Sequence, residues 1–211
     1  QVKDGSGARP VWRAVSDVVF RVSDDAEHTL PEDDTYAFIG SPGDRVFLIP
    51  QTQVPGIVWL GWNTQHPSLL QDTPARISLS LRDIQGPGDV DVYFDYGGFR
   101  PPQQIWSTGQ DTAELEVAPD VHAHANWAFG EPGSYQMSFQ ARIVDTDGDE
   151  HLATGELRFL VGDGTEPASR STASPWPWVT VLAGGLFVVV IAGIIARRCM
   201  SRRRGGADDS E

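Results

Sequence analysis

Between Val15 and Val161 the apolar residues come in short runs broken by glycine, proline and aspartate, with no sustained period of 3.6 that would mark a helix. In "RISLSL" Ile77, Leu79 and Leu81 alternate with Arg76, Ser78 and Ser80, the pattern of a strand with one dry face. Eight such segments predict strands: "DVVFRV", "YAFIG", "RVFLIP", "ARISLSLRDI", "GDVDVYFDY", "AELEVA", "YQMSFQARIV" and "HLATGELRFLVG". Between the last two, "DTDGDE" centres an Asp-Gly pair where a hairpin must reverse. So many short strands in so short a stretch predict an all-β antiparallel sandwich over residues 15–162. Tyr135, just after a Pro-Gly turn at the start of the penultimate strand, occupies the tyrosine-corner place of immunoglobulin-like domains, so the expected sandwich is Ig-like.

The pattern changes at both ends. Residues 1–14 read as a flexible leader, and residues 163–177, rich in Gly, Ser, Thr and Pro, as a linker or stalk. Residues 178–196, "WVTVLAGGLFVVVIAGIIA", carry no charge and as a helix would span about 28 Å, close to the hydrocarbon thickness of a bilayer. An Arg-rich tail, residues 197–211, follows. By the positive-inside rule this predicts a single transmembrane α-helix with a cytoplasmic tail and an extracellular domain at the cell surface. Export needs a signal peptide, which is expected to have been removed, since "QVKDGSGARP" has no apolar stretch.

Charge and cysteine narrow the partners. Up to Pro175 there are 11 Lys and Arg against 26 Asp and Glu, so nucleic acid is not an expected partner, whereas cations are. The sole cysteine, Cys199, follows the apolar span and can form no intrachain disulfide, so the exterior domain is held by its core alone.

The chemistry-bearing residues are few. "DVHAHANWAF" places His122 and His124 two apart, so on a strand both imidazoles project from one face. Such a pair either converges on a metal ion, as His-x-His pairs do for zinc, or is two polar residues on a solvated face. With no cysteine outside the membrane, further ligands would be nitrogen or oxygen; His66 is the expected third, with His28, His151 and Asp120 behind it. In "PGIVWLGWNTQHP", Trp59 and Trp62 form either an aromatic binding platform or core packing, and Trp127 beside the histidines is expected to wall the same site. "DTDGDEH" has the spacing of the first Ca²⁺-loop ligands but not the rest of the frame, and reads as a solvated hairpin tip. No Gly-x-Ser-x-Gly, P-loop or His-Glu-x-x-His occurs, so neither an enzyme nor an organic cofactor is expected.

From Val18 to Gly162 the chain resembles the actinobacterial surface-anchored domain, also called the choice-of-anchor M domain. The resemblance rests on "YAFIGSPGDRVFLIPQTQVPGIVWLGWNTQ", "GPGDVDVYFDYGGFRPPQQIWSTGQD" and, most specifically, "HAHANWAF" followed by Pro-Gly-x-Tyr. It implies an exported domain fixed to the envelope by a C-terminal anchor, encoded beside an ABC transporter of the metal-uptake type. It further implies zinc or manganese as the bound ion. The chain departs from the family near the start of the domain, where "VSDVVFRV" and a solitary His28 stand in place of Gly-His-Val-Asp, so a ligand drawn from there is not carried over. The expected protein is thus a membrane-anchored binder of a divalent transition metal that assists an ABC uptake transporter. The alternative is an adhesion or envelope-scaffolding module that binds glycan or protein through its tryptophans.

Overall fold

The computed structural model describes residues 1–5, 7–70, 76–110 and 113–166. The expected membrane span, residues 178–196, the Arg-rich tail and most of the expected stalk lie outside the described residues. No helix among the described residues is long and apolar enough to cross a membrane.

The strands are β1 (Val2–Asp4), β2 (Val11–Arg13), β3 (Phe20–Val22), β4 (Glu27–Thr29), β5 (Arg45–Ile49), β6 (Gly61–Asn63), β7 (Arg76–Gln85), β8 (Val90–Phe94), β9 (Gln103–Ser107), β10 (Leu115–Val117), β11 (His122–His124), β12 (Asn126–Phe129), β13 (Gly133–Val144) and β14 (Glu150–Val161). A four-residue helical turn, α1 (Pro67–Leu70), follows β6. Two five-stranded sheets, ordered β10-β7-β13-β14-β3 and β4-β5-β12-β8-β9, form a sandwich. Their inner faces meet through aromatic contacts: Phe159 of β14 lies 5.2 Å from Phe129 and 6.1 Å from Trp127 of β12, and Phe139 of β13 meets Trp106 of β9 edge-on at 5.7 Å. Such contacts with the aliphatic residues around them supply the apolar burial that holds a disulfide-free domain together.

Seven of the eight expected segments contain strands. In β7 the inward residues are Ile77, Leu79 and Leu81, as the alternation predicts. The exception is "YAFIG". Asp33 caps a 3-10 turn over Asp34–Tyr36 by accepting the Thr35 N–H at 2.9 Å, and the segment continues as a turn rather than a strand. The loop containing it is closed by hydrogen bonds from Leu30 N–H to Asp44 O and from Gly43 N–H to Leu30 O. Its aromatic residues pack on the outer face of the second sheet, where Phe38 meets Tyr93 edge-on at 5.3 Å. That cover explains why Tyr93 of β8 is buried although it points away from the core; Asp91, also buried, accepts a hydrogen bond from Gln104 Nε2 of β9 at 2.8 Å.

The end residues are more structured than a leader and stalk imply. β1 and β2 form a hairpin inside the first 14 residues. At the other end, Asp163 N–H donates to Asp24 Oδ1 at 3.0 Å and Thr165 Oγ1 to Val161 O at 2.6 Å, so the start of the stalk is tied back to the domain. Tyr135 is 1 % exposed, and its hydroxyl donates to the Glu131 carbonyl at 2.6 Å, fixing the corner into β13.

Candidate metal-binding site

The two histidines sit on a small two-stranded ribbon apart from the main sheets. β11 pairs antiparallel with β6 in the register His122↔Asn63, Ala123↔Trp62 and His124↔Gly61. Thr64 staples the ribbon: its N–H donates to Val121 O at 2.9 Å, while its hydroxyl donates to Ala118 O and accepts from Val121 N–H, both at 2.9 Å. Asp120 enters β11 at φ 59°, a left-handed conformation that aspartate tolerates better than most side chains.

Cross-strand partners share a face, so His122, His124, Gly61 and Asn63 point one way and Trp62 and Ala123 the other. On the histidine face the two Nε2 atoms are 3.1 Å apart, with ring centroids at 4.9 Å. Trp59 stacks on His124 with parallel planes, 2° apart, at a centroid distance of 3.6 Å, and its indole N–H donates to Gln51 O at 3.0 Å. Gly61 makes this possible, because a Cβ there would sit 2.6 Å from His124 Nδ1 and still closer to the Ala123 carbonyl oxygen. Burial holds the His124 imidazole below its ordinary pKa; a backbone contact with Leu60 opposes this and the nearby His122 adds to it. The site thus favours a neutral imidazole, the form that can offer a lone pair to a metal.

Around the pair lies an amide and carboxylate fringe. Asn63 Oδ1 accepts the Gln65 N–H at 2.6 Å, and Gln65 Nε2 donates to Asp120 Oδ1 at 3.2 Å. His66 follows immediately, and its carbonyl accepts N–H groups of α1 from Leu69 and Leu70. Among the described residues no group of three or more His, Cys, Asp or Glu side chains is placed to hold a metal, so His66, His28 and His151 are not gathered onto the pair.

The tryptophans expected at the site divide. Trp59 is 42 % exposed and belongs to it. Trp62 faces inward from the ribbon, edge-on to Phe94 at 5.7 Å and to Trp106 at 6.0 Å, so the two do not form one platform. Trp127 is 2 % exposed in the sandwich core, with its indole N–H unpaired, and cannot line a surface. Sequence reasoning missed Gly61, Thr64 and Gln51; the one available signal was a glycine two residues after a tryptophan, Trp59-Leu60-Gly61.

The acidic hairpin tip is organised by its own backbone. Asp145 Oδ1 accepts the N–H groups of Asp147 and Asp149, and Oδ2 contacts His151 Nε2 at 2.9 Å. The Asp145 hydrogen bond raises the His151 pKa, and the same bond lowers that of Asp145. Folding raises a basic group here, so its contribution to stability is full below about pH 6.5 and is lost as pH rises through the folded value. An NMR titration is expected to find the His151 pKa raised above its ordinary value, and Asp145→Asn to lower it. An unshifted His151 in the unmodified chain would show that the contact does not persist in solution.

No family model matches the chain, and no curated protein or solved structure is significantly similar to it.

Proposed function

We propose that this protein is a membrane-anchored, extracellular binding protein that holds a divalent transition metal between His122 and His124 and passes it to an associated ABC uptake transporter. The observation that carries the reading is the 3.1 Å separation of the two Nε2 atoms. An ion at about 2.0–2.1 Å from both would see them at an angle of about 100°, near tetrahedral. Imidazole donors favour zinc over manganese, which prefers oxygen ligands. Two protein ligands leave the remaining positions to water or to a partner. That arrangement suits delivery rather than storage, because such a site exchanges its ion readily. The acidic exterior would concentrate cations without selecting among them. The role is binding, not turnover.

The same reading places residues 178–196 in the membrane, the domain outside and the tail inside, as in the surface-anchored family the sequence resembles. It assigns the sandwich to the Ig-like class. Support comes from the Tyr135 hydrogen bond to Glu131 and from the parallel pairing of β3 with the last strand, β14.

The test is metal content by mass spectrometry on the full chain, purified without a His-tag or chelator, beside the His122→Ala/His124→Ala double variant. Zinc that is carried by the chain, or taken up when added at about micromolar concentration, and that is lost in the double variant, is expected. A chain that carries no metal, and takes up neither zinc nor manganese at about micromolar concentration, would overturn the reading. The adhesion alternative keeps one supporting observation, the exposed Trp59; under it a glycan or protein partner would bind the double variant unchanged.

A further inference from the structure

The loop from Leu30 to Asp44 covers the second sheet without filling the space beneath it. A cavity of about 240 Å³ remains between the loop and the strands. An engineered cavity of about 150 Å³ accepts benzene, so this one has room for a molecule of about ten non-hydrogen atoms. It shares no lining residue with the histidine face of the β6–β11 ribbon.

The lining is mixed in chemistry. Leu30, Ile39, Val46 and Leu48 are apolar. Tyr36, Tyr93, Asp95, Asn126 and His28 are polar or aromatic, and among the described residues His28 makes no ion pair with Asp95. The Tyr36 and Tyr93 rings stand 5.9 Å apart with planes 59° to each other, next to the Asp95 carboxylate. Asp95 Oδ2 accepts the Tyr36 hydroxyl at 2.5 Å, and Oδ1 accepts the Gly97 N–H at 2.8 Å. Both donors are neutral, and among the described residues no ion pair involves Asp95. A carboxylate can accept about four hydrogen bonds, so two directions are left for a ligand. The hydrogen bond to Asp95 pushes the Tyr36 phenol up to about 12, so Tyr36 remains a donor and does not add a second negative charge.

The carboxylate is also held in place. Its backbone N–H donates to Gln51 Oε1 at 2.9 Å, and the Gln51 N–H donates to Asn126 Oδ1 at 2.8 Å. An anchored anion that makes no ion pair, beside two phenol rings in a cavity that also has aliphatic lining, is complementary to a cation with an apolar body. The rings attract such a cation through their faces, and the carboxylate attracts it through charge-assisted hydrogen bonds. We propose that the cavity beneath the Leu30–Asp44 loop binds a small primary amine with an apolar body, its ammonium group held by Asp95 beside Tyr36 and Tyr93 and its hydrocarbon part against Leu30, Ile39 and Leu48.

The experiment is calorimetric titration of the full chain in detergent with 3-methylbutylamine and 2-phenylethylamine, each beside its neutral alcohol counterpart. Saturable binding is expected for at least one amine, with an affinity at least about tenfold above that of its alcohol. Asp95→Asn should weaken it by about tenfold or more, and Leu48→Phe, which adds bulk to the apolar lining, should block it. Tyr36→Phe keeps the ring and is a second probe less exposed to folding failure; it should bind within about threefold of the unmodified chain. The His122→Ala/His124→Ala variant should bind the amine unchanged, which separates this site from the metal reading. Absence of saturable binding by either amine up to about 10 mM would overturn the proposal. So would equal affinity for amines and alcohols, or full binding by a folded Asp95→Asn chain.

Discussion

Gly86→Ala is expected to cost the domain about 3 kcal/mol, at the upper end for a single methyl group forced into a packed interior. A Cβ at position 86 would come within 2.8 Å of three carbons of the Tyr135 ring. The ring has nowhere to go: Tyr135 is 1 % exposed, lies 5.0 Å from Phe129 in an edge contact, and is held by its hydroxyl to Glu131 O. Tyr135→Phe keeps the ring and loses only the hydrogen bond, about 1 kcal/mol. Tyr135→Ala removes the ring and should cost about 3–5 kcal/mol. The decisive measurement is the double variant. With the ring gone the added methyl meets no obstacle, so Gly86→Ala should cost almost nothing in the Tyr135→Ala background. Urea unfolding followed by circular dichroism reads all four proteins; a Gly86→Ala chain as stable as the unmodified one would mean that the Tyr135 corner is not packed against residue 86 in solution.

The sandwich was legible in the sequence where apolar and polar residues alternate along a strand. In β7 the alternation marks the residues that enter the core, Ile77, Leu79 and Leu81, although the expected wet face is not wet: Ser78 and Ser80 are buried as well, and only the flanking Arg76 and Arg82 are exposed. Legibility failed where that condition failed. In β12 all four residues of "NWAF" are buried, because the strand lies between β5 and β8 with the core on one face and much of the other shielded, and no alternation survives to be read. "YAFIG" misled for a related reason: its aromatic residues are half-buried as the underside of a covering loop, and an apolar run does not reveal which kind of surface it packs against. β6 and β11 are three residues each in polar surroundings, too short to carry a period.

The histidine pair was legible because strand geometry puts residues i and i+2 on one face whatever the fold around them. Its neighbours were not, because their positions depend on pairing register. "GWN" opposite "HAH" sends Trp62 to the far side, whereas Trp59, which precedes the strand, turns back to lie on His124. Sequence proximity likewise suggested Trp127 for the site, but Asn126 and Trp127 already belong to a different sheet from His124. The unpaired Trp127 indole N–H in the core is a feature for which the structure offers no physical account.

Register also identifies the residue on which the pair most depends. If the pair holds zinc as proposed, Gly61→Ala should leave both histidines in the chain and yet lower zinc affinity by about 10- to 100-fold, the range for residues that position metal ligands. The His124 ring lies against the Gly61 backbone and the face of Trp59, and a Cβ at residue 61 would stand 2.6 Å from Nδ1 and 2.3 Å from the Ala123 carbonyl oxygen, so both the ring and the β6–β11 pairing must give way. The ring must rotate off the indole, which opens the 3.1 Å approach of the two Nε2 atoms and reduces a chelate to two separate imidazoles. Two readouts separate this from simple unfolding. Trp59 fluorescence should change when the stacked imidazole leaves, with or without metal, while the two five-stranded sheets, to which the ribbon does not belong, should stay folded by circular dichroism. Asn63→Ala is the matched control: it lies on the same face opposite His122, and its side chain bonds Gln65 rather than either imidazole. Asn63→Ala should therefore keep the metal. A Gly61→Ala chain with unchanged Trp59 fluorescence would show that the glycine does not set the imidazole geometry. One with changed fluorescence and unchanged zinc affinity would show that the convergence of the two nitrogens is not what binds the ion.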